Sequence, residues 1–213
     1  MDFDAFLGLC PKIKNIPLPA EASHLKMVPP YRKELLNLQK GAIEKAKKAG
    51  VLALFYPDSS RQAKFVLMLR KTYKGVHSAQ VSFPGGKLEK QDGSLQAAAL
   101  RETHEEVGVP IYDMEVLCGF SEIYIPPSNF YVYPFLALTK NRPLFKPQDS
   151  EVELLIEVDL ETLLHHEALK TSKVNTSYGV EAEVPAFILN GHVVWGATAM
   201  ILSEIKDVLK QLI

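Results

Sequence analysis

The chain has little of what would mark it for export, for a membrane or for a charged partner. It carries two cysteines in 213 residues, Cys10 and Cys118, which make neither a disulfide framework nor a zinc site. Cys118 sits in an apolar strand pattern and reads as a core residue. Twenty-four basic residues against 25 acidic ones leave a net charge of −1, so there is no electrostatic footprint for nucleic acid. No apolar run approaches the roughly 18 residues of a membrane span. The N-terminus carries Asp2 and Asp4 where a signal or transit peptide would be basic, and Lys210-Gln211-Leu212-Ile213 is no peroxisomal address. The expected location is the cytoplasm. Repeats, low-complexity tracts and linkers are missing too. What remains, 47% hydrophobic and 23% charged, is the composition of a globular domain with length for one full core.

What is present in abundance is carboxylate, in one place. Residues 83–109 read FPGGKLEKQDGSLQAAALRETHEEVGV. Pro84, Gly85 and Gly86 mark a tight turn in which the backbone runs close to something. Ser94 or Asp92 can cap a following helix, and Gly108 with Pro110 stops it. At about 100° per residue, Glu102, Glu105 and Glu106 fall on one side of that helix, and Leu100, Thr103 and Val107, with Ala97, fall largely on the other. Like charges at this spacing repel. A cation that neutralises them makes the cluster cheap to keep, and oxygen-only ligands suit Mg²⁺ first and Mn²⁺ next. Mg²⁺ in turn favours phosphate-bearing substrates.

The stretch resembles the Nudix box, G-x5-E-x7-R-E-U-x-E-E-x-G-U with U an aliphatic residue. Gly86 is the glycine, and Arg101-Glu102-Thr103-His104-Glu105-Glu106-Val107-Gly108-Val109 is the second half. Asp92 stands where the first Glu is expected, eight residues rather than seven separate it from Arg101, and Thr103 replaces an aliphatic residue. The resemblance implies an α/β/α sandwich with a mixed β-sheet. It implies a metal held by Glu102, Glu105, Glu106 and Gly86, and catalysis by Glu105, Glu106 and Arg101, with Arg101 orienting the glutamates. Asp92 is not counted among the ligands.

The rest of the chain fits an α/β domain spanning residues 1–213, with residues 1–49 an N-terminal arm and helix packed on it. Residues 2–9 can form a short amphipathic helix, residues 11–31 carry five prolines and read as an extended arm, and residues 35–48 read as helix. Strands are expected at 51–56 (apolar on both faces), 64–70, 81–83, 114–125, 130–139 and 152–158, the last running into a helix near 159–166. Asn190-Gly191 marks a second hairpin, 182–189 with 192–195, and residues 198–212 form a closing amphipathic helix.

The residues before the box narrow the substrate. Val66-Leu67-Met68-Leu69-Arg70 and the run from His77 to Gly86 resemble the signature of the coenzyme A pyrophosphatase subgroup, L-L-T-x-R-S, a further basic residue, then G-x3-F-P-G-G. Met68, Lys71, Gly75 and Ala79 depart from it, whereas Asp92 with the inserted residue and Trp195-Gly196-Ala197-Thr198-Ala199 agree with it. This resemblance implies a nucleoside diphosphate substrate, coenzyme A or a derivative, contacted by Arg70, Phe83, Gly85 and Gly86, with Lys71 and Lys74 near its phosphates. ADP-ribose or dinucleotide hydrolysis is the second reading, and a non-catalytic nucleotide-binding module the third. The general base is open between Glu105, Glu106 and a loop carboxylate, for which Glu151 is the candidate. Tyr124, Phe130 and Tyr131 can stack on an adenine or simply pack. His104, His165 and His166 lack partners at ligand spacing and read as surface residues, and His77 shapes the loop before the turn. No nucleic acid or membrane partner is expected, and a homodimer is compatible with the sequence.

Overall fold

The apolar run at 51–56 becomes the middle of a sheet because neither of its faces meets water. It lies in β1, Lys47–Pro57, whose side chains alternate between two cores: Leu52, Leu54 and Tyr56 enter one, Ala53 and Phe55 the other. The computed structural model describes residues 1–28, 43–72, 80–176 and 181–213.

β1 pairs in parallel with β7, Phe130–Leu138, in register from Lys47 opposite Phe130 to Phe55 opposite Leu138. Every other pairing among the described residues is antiparallel. β2 (Ala63–Arg70) and β4 (Gly85–Lys87) pair with β1; β3 (Val81–Ser82) and β8 (Val152–Asp159) pair with β2; β5 (Glu115–Gly119) and β6 (Ile123–Ile125) pair with β7. The sheet is therefore mixed, as expected. Beside it stands a second, three-stranded antiparallel sheet of β9 (Leu169–Asn175), β10 (Glu181–Leu189) and β11 (His192–Val194), joined at the Asn190-Gly191 turn.

The helix Leu95–Val107 lies on one face of the main sheet, with Ala99 and Val107 packed among Leu52, Leu54, Tyr56 and Val66. The opposite face gives Phe55, Phe65, Leu67 and Ile156 to a larger core shared with Phe3 and Phe6 and with Ile201, Ile205 and Leu209 of the C-terminal helix Gly196–Lys210. Among the described residues no helix is long and apolar enough to cross a membrane.

Several expectations need correction. The N-terminal helix runs from Phe3 to Ile13, and Glu21–His24 with the 3₁₀ turn Leu25–Met27 is also helical, so residues 11–28 are not simply extended. The helix expected over 35–48 falls mostly outside the described residues; Lys47 and Lys48 already belong to β1, where the long ladder with β7 overrides local propensity. The strand expected at 114–125 is two strands, with a bulge between Val116 and Cys118 and a break before Ile123. Cys118 is half-buried rather than in the core, whereas Cys10 is buried.

Candidate functional site

The turn expected at Pro84–Gly86 brings two backbone segments into contact. Gly85 has φ +139°, a conformation that L side chains rarely adopt, and a Cβ there would collide with the Gly50 carbonyl and Val51. A Cβ on Gly86 would strike the Glu102 carboxylate, so the glycine lets that side chain lie directly on the backbone. Ser94, not Asp92, caps the helix, its Oγ accepting the Ala97 N–H at 3.0 Å. Gly108, left-handed, ends it.

The three glutamates on this helix differ in their surroundings. Glu105 is exposed, Glu102 half-buried, and Glu106 only 1% exposed. The amphipathic projection places Glu106 on the polar side, but its carboxylate is buried against the Gly85 turn and the end of β2, while the loop before β8 is tied to the helix backbone, Gln148 N–H donating to the Glu106 carbonyl at 2.9 Å and Lys146 N–H to that of Val107 at 2.9 Å. The Glu106 carboxylate accepts the Gly85 N–H at 2.8 Å and an Arg70 Nη1–H at 3.0 Å. Burial pushes its pKa up to about 7 against these two contacts. Burial likewise raises Glu102, with Arg101 opposing. The charge of Glu151 is felt at both Glu102 and Glu106, and its own Oε2 lies 3.5 Å from Arg70 Nη2, so the loop carboxylate faces the cluster.

Two arginines hold these acids. Arg101 donates Nε to Asp92 at 2.7 Å, Nη1 to Glu105 at 2.9 Å and Nη2 to Glu102 at 3.0 Å. The second Asp92 oxygen takes Arg101 Nη2 at 3.1 Å and the Glu89 N–H at 2.7 Å. The hydrogen bond from Arg101 outweighs burial and holds Asp92 below the usual carboxylate range. Asp92, left out of the expected metal ligands, anchors Arg101. Its oxygens are committed to Arg101, and the signal for it was its place in the box, one methylene shorter than glutamate with one residue added to the loop. Arg70, expected to face a phosphate, pairs with Glu106 and Glu151.

Phe83 is 2% exposed and belongs to the core, so its side chain does not line a surface. Tyr124 is 7% exposed, donates to Asn129 Oδ1 at 2.9 Å and packs against Tyr131, ring centroids 5.2 Å apart. His104 Nδ1 lies 3.0 Å from the Val109 carbonyl at the helix end. Lys74, Gly75, His77 and Ala79 lie outside the described residues.

The donor set suits a hard cation: carboxylate oxygens of Glu102, Glu105 and Glu106, the open backbone at Gly86, and a buried acid whose ionised form lacks solvation. As the side chains stand, no three His, Cys, Asp or Glu residues among the described ones converge on a point that could hold a metal ion. Glu105 is drawn toward Arg101, and Glu106 toward Arg70 and Gly85.

Residues 46–177 match the NUDIX domain model. The chain is 31% identical over 160 residues to the uncharacterized Nudix hydrolase NudL of Yersinia pestis (strain Pestoides F), covering 73% of this chain and 77% of the relative. The fold is similar to that of RenU, a Nudix hydrolase from M. smegmatis, with TM-score 0.55, 15% identity and coverage of 79% of this chain and 88% of the other. A MutT protein from Methanosarcina mazei Go1 superposes with TM-score 0.50 at 16% identity, covering 78% and 98%. With the glycine turn, the carboxylate helix and the mixed sheet in the same chain, these matches show that the protein belongs to the Nudix hydrolases.

Proposed function

We propose that the chain is a divalent-metal-dependent diphosphatase that cleaves a nucleoside diphosphate linked to another group, with coenzyme A or a derivative as substrate and 4′-phosphopantetheine and 3′,5′-ADP as products. The observation that carries this reading is the buried Glu106 on the Gly85-Gly86 turn, grouped with Glu102, Glu105 and Glu151 and bracketed by two arginines. Glu102, Glu105, Glu106 and the Gly86 backbone would hold Mg²⁺ or Mn²⁺. Such an ion, when bound, neutralises diphosphate oxygens and lowers the barrier to attack by water.

The chain's own groups divide the remaining work. Arg101 fixes the Glu102 and Glu105 carboxylates through Asp92. Arg70, at the end of β2, offers a guanidinium suited to two parallel hydrogen bonds with a phosphate. Phe83 contributes by anchoring the turn from below rather than by touching substrate. Water forms the new P–O bond, the bridging P–O bond breaks, and the proton of the water passes to a carboxylate that reaches solvent. Glu105 and Glu151 do so, their side chains 49% and 47% exposed.

The coenzyme A assignment rests on the residues from Arg70 to Gly86 and on the inserted residue with Asp92. The test is incubation with Mg²⁺ or Mn²⁺ and a panel of coenzyme A, ADP-ribose, NADH and diadenosine phosphates, with products identified by mass. Cleavage of coenzyme A to the two named products is expected. Turnover of ADP-ribose with coenzyme A untouched would reject the substrate and leave the chemistry.

A further inference from the structure

We propose that a cleft beyond the C-terminal end of the box helix is a second ligand site, and that it takes a free nucleoside phosphate. The site depends on neither the metal nor the substrate proposed above.

The cleft encloses about 700 Å³ between two walls, a size that suits one small ligand. One wall is the segment that follows the helix, from Gly108 through the 3₁₀ turn Ile111–Asp113 to Glu115 at the start of β5. The other runs from Leu138, at the end of β7, to Lys146. Glu102, Glu105 and Glu106 are not among the described residues that line it. The Glu106 carboxylate is engaged by Gly85 and Arg70 instead.

Both walls are held by the fold itself. Phe145 packs edge-on against the buried Tyr56, ring centroids 5.2 Å apart, and Lys146 N–H donates to the Val107 carbonyl at 2.9 Å. Arg142 Nη2 reaches both Glu157 oxygens at 3.2 Å, and the Tyr56 hydroxyl donates to the same carboxylate at 2.9 Å. On the facing wall the buried Met114 pins the turn, and Asp113 N–H donates to the Pro110 carbonyl at 3.0 Å. A site built in advance loses little ordering entropy when a ligand enters.

The side chains presented to the cleft select the ligand. Phe145 turns into the second core, whereas Leu144 and Lys146 on either side of it are exposed and line the cleft. With Lys140 and Arg142 they put three cations on one wall. Tyr112, 88% exposed, stands on one wall and Leu144, 78% exposed, on the other. A flat ring lodged between them removes apolar surface of both from water. A ligand with one planar ring and one multiply charged anion meets both features, its phosphate taken by the lysines. Asp113 and Glu115 also line the cleft and would repel a bare anion. They suit a nucleoside, whose exocyclic amino group and ribose hydroxyls donate to carboxylates.

The experiment is calorimetric titration of AMP, in EDTA, into wild type, Tyr112→Ala, Tyr112→Phe and the double variant Lys140→Gln with Lys146→Gln. The three positions are exposed, so each variant should fold, and melting curves check that they do. The AMP Kd should rise about tenfold in Tyr112→Ala and in the double variant and stay within about threefold of wild type in Tyr112→Phe. Adenosine and inorganic phosphate should each bind wild type about tenfold or more weakly than AMP does. Wild type that binds no AMP at about 1 mM overturns the proposal. Binding unchanged in Tyr112→Ala and in the double variant places the nucleotide elsewhere, the catalytic cluster included, and overturns it too. Inorganic phosphate that matches AMP reduces the cleft to an anion patch and also overturns it. The titration contains no metal and reads no turnover, so its outcome is separate from that of the diphosphatase assay.

Discussion

Glu106 is buried, doubly hydrogen-bonded and raised in pKa by its burial, so it cannot serve as an ordinary surface carboxylate. Glu106→Gln keeps the volume and one acceptor oxygen but removes the charge. We expect the variant to fold and to lose about a hundredfold or more in kcat, roughly 2.7 kcal/mol of barrier. Activity within about threefold of wild type in saturating Mg²⁺ would show that Glu106 is not a ligand. Asp92 is legible as a place in the box but not as a role, because only the folded turn shows both of its oxygens taken by Arg101. Asp92→Ala leaves that guanidinium short of its anchor and should cost about 1–3 kcal/mol. Glu adds a methylene to a side chain that is 2% exposed and already hydrogen-bonded at both oxygens, so Asp92→Glu should also melt below wild type. An Asp92→Ala protein with an unchanged melting curve would make the pairing incidental.

At the scale of elements, the signals that survived folding were local and strong. Ser94, Gly108 and the continuous apolar run at 51–56 point to their elements directly, and Asn190-Gly191 to its hairpin. The signals that failed needed a partner. β9 reads Leu-Lys-Thr-Ser-Lys-Val-Asn, largely polar and exposed, and is a strand because it pairs with β10 from Leu169 opposite Phe187 to Asn175 opposite Glu181. The burial of Glu106 escapes a helical projection for the same reason, since its carboxylate is met by Gly85 and Arg70, which lie in other elements of the chain. The glycine turn is an element whose geometry can be tested alone. Gly85→Ala forces a side chain into φ +139° and against the Gly50 carbonyl. It should cost about 1–3 kcal/mol or more, lowering Tm by about 3–10 °C in a domain of this size. A variant that melts with wild type would mean the turn relaxes freely.

Across the whole molecule, the N-terminal segment is tied to the far end of the chain by one buried acid. Glu204, in the C-terminal helix, is 0% exposed. It accepts the Ala20 N–H at 2.9 Å and the Ser121 N–H at 3.0 Å, takes the Ser121 hydroxyl as well, and lies 3.4 Å from His24 Nε2. Two segments remote in sequence, residues 20–24 and Ser121, therefore converge on one carboxylate of a third, which no local pattern announces. Burial pushes the Glu204 pKa up, but His24 and Ser121 together outweigh it and leave it below the ordinary carboxylate value. A carboxyl depressed in the folded state binds fewer protons there than in the unfolded chain. Its contribution to stability is thus present above the unfolded pKa of about 4.3 and is lost as pH falls through the lower folded value. Glu204→Gln keeps the shape but weakens charge-assisted hydrogen bonds and gives the site a donor among donors. It should destabilise by about 2–4 kcal/mol at neutral pH, with Tm down by about 5–15 °C. Denaturant titrations of both proteins from pH 7 to 3 should show the gap narrowing below about pH 4.3, as Glu204 is itself protonated. A gap that stays constant across that range would mean that packing, and not the charge of Glu204, holds the N-terminal segment in place.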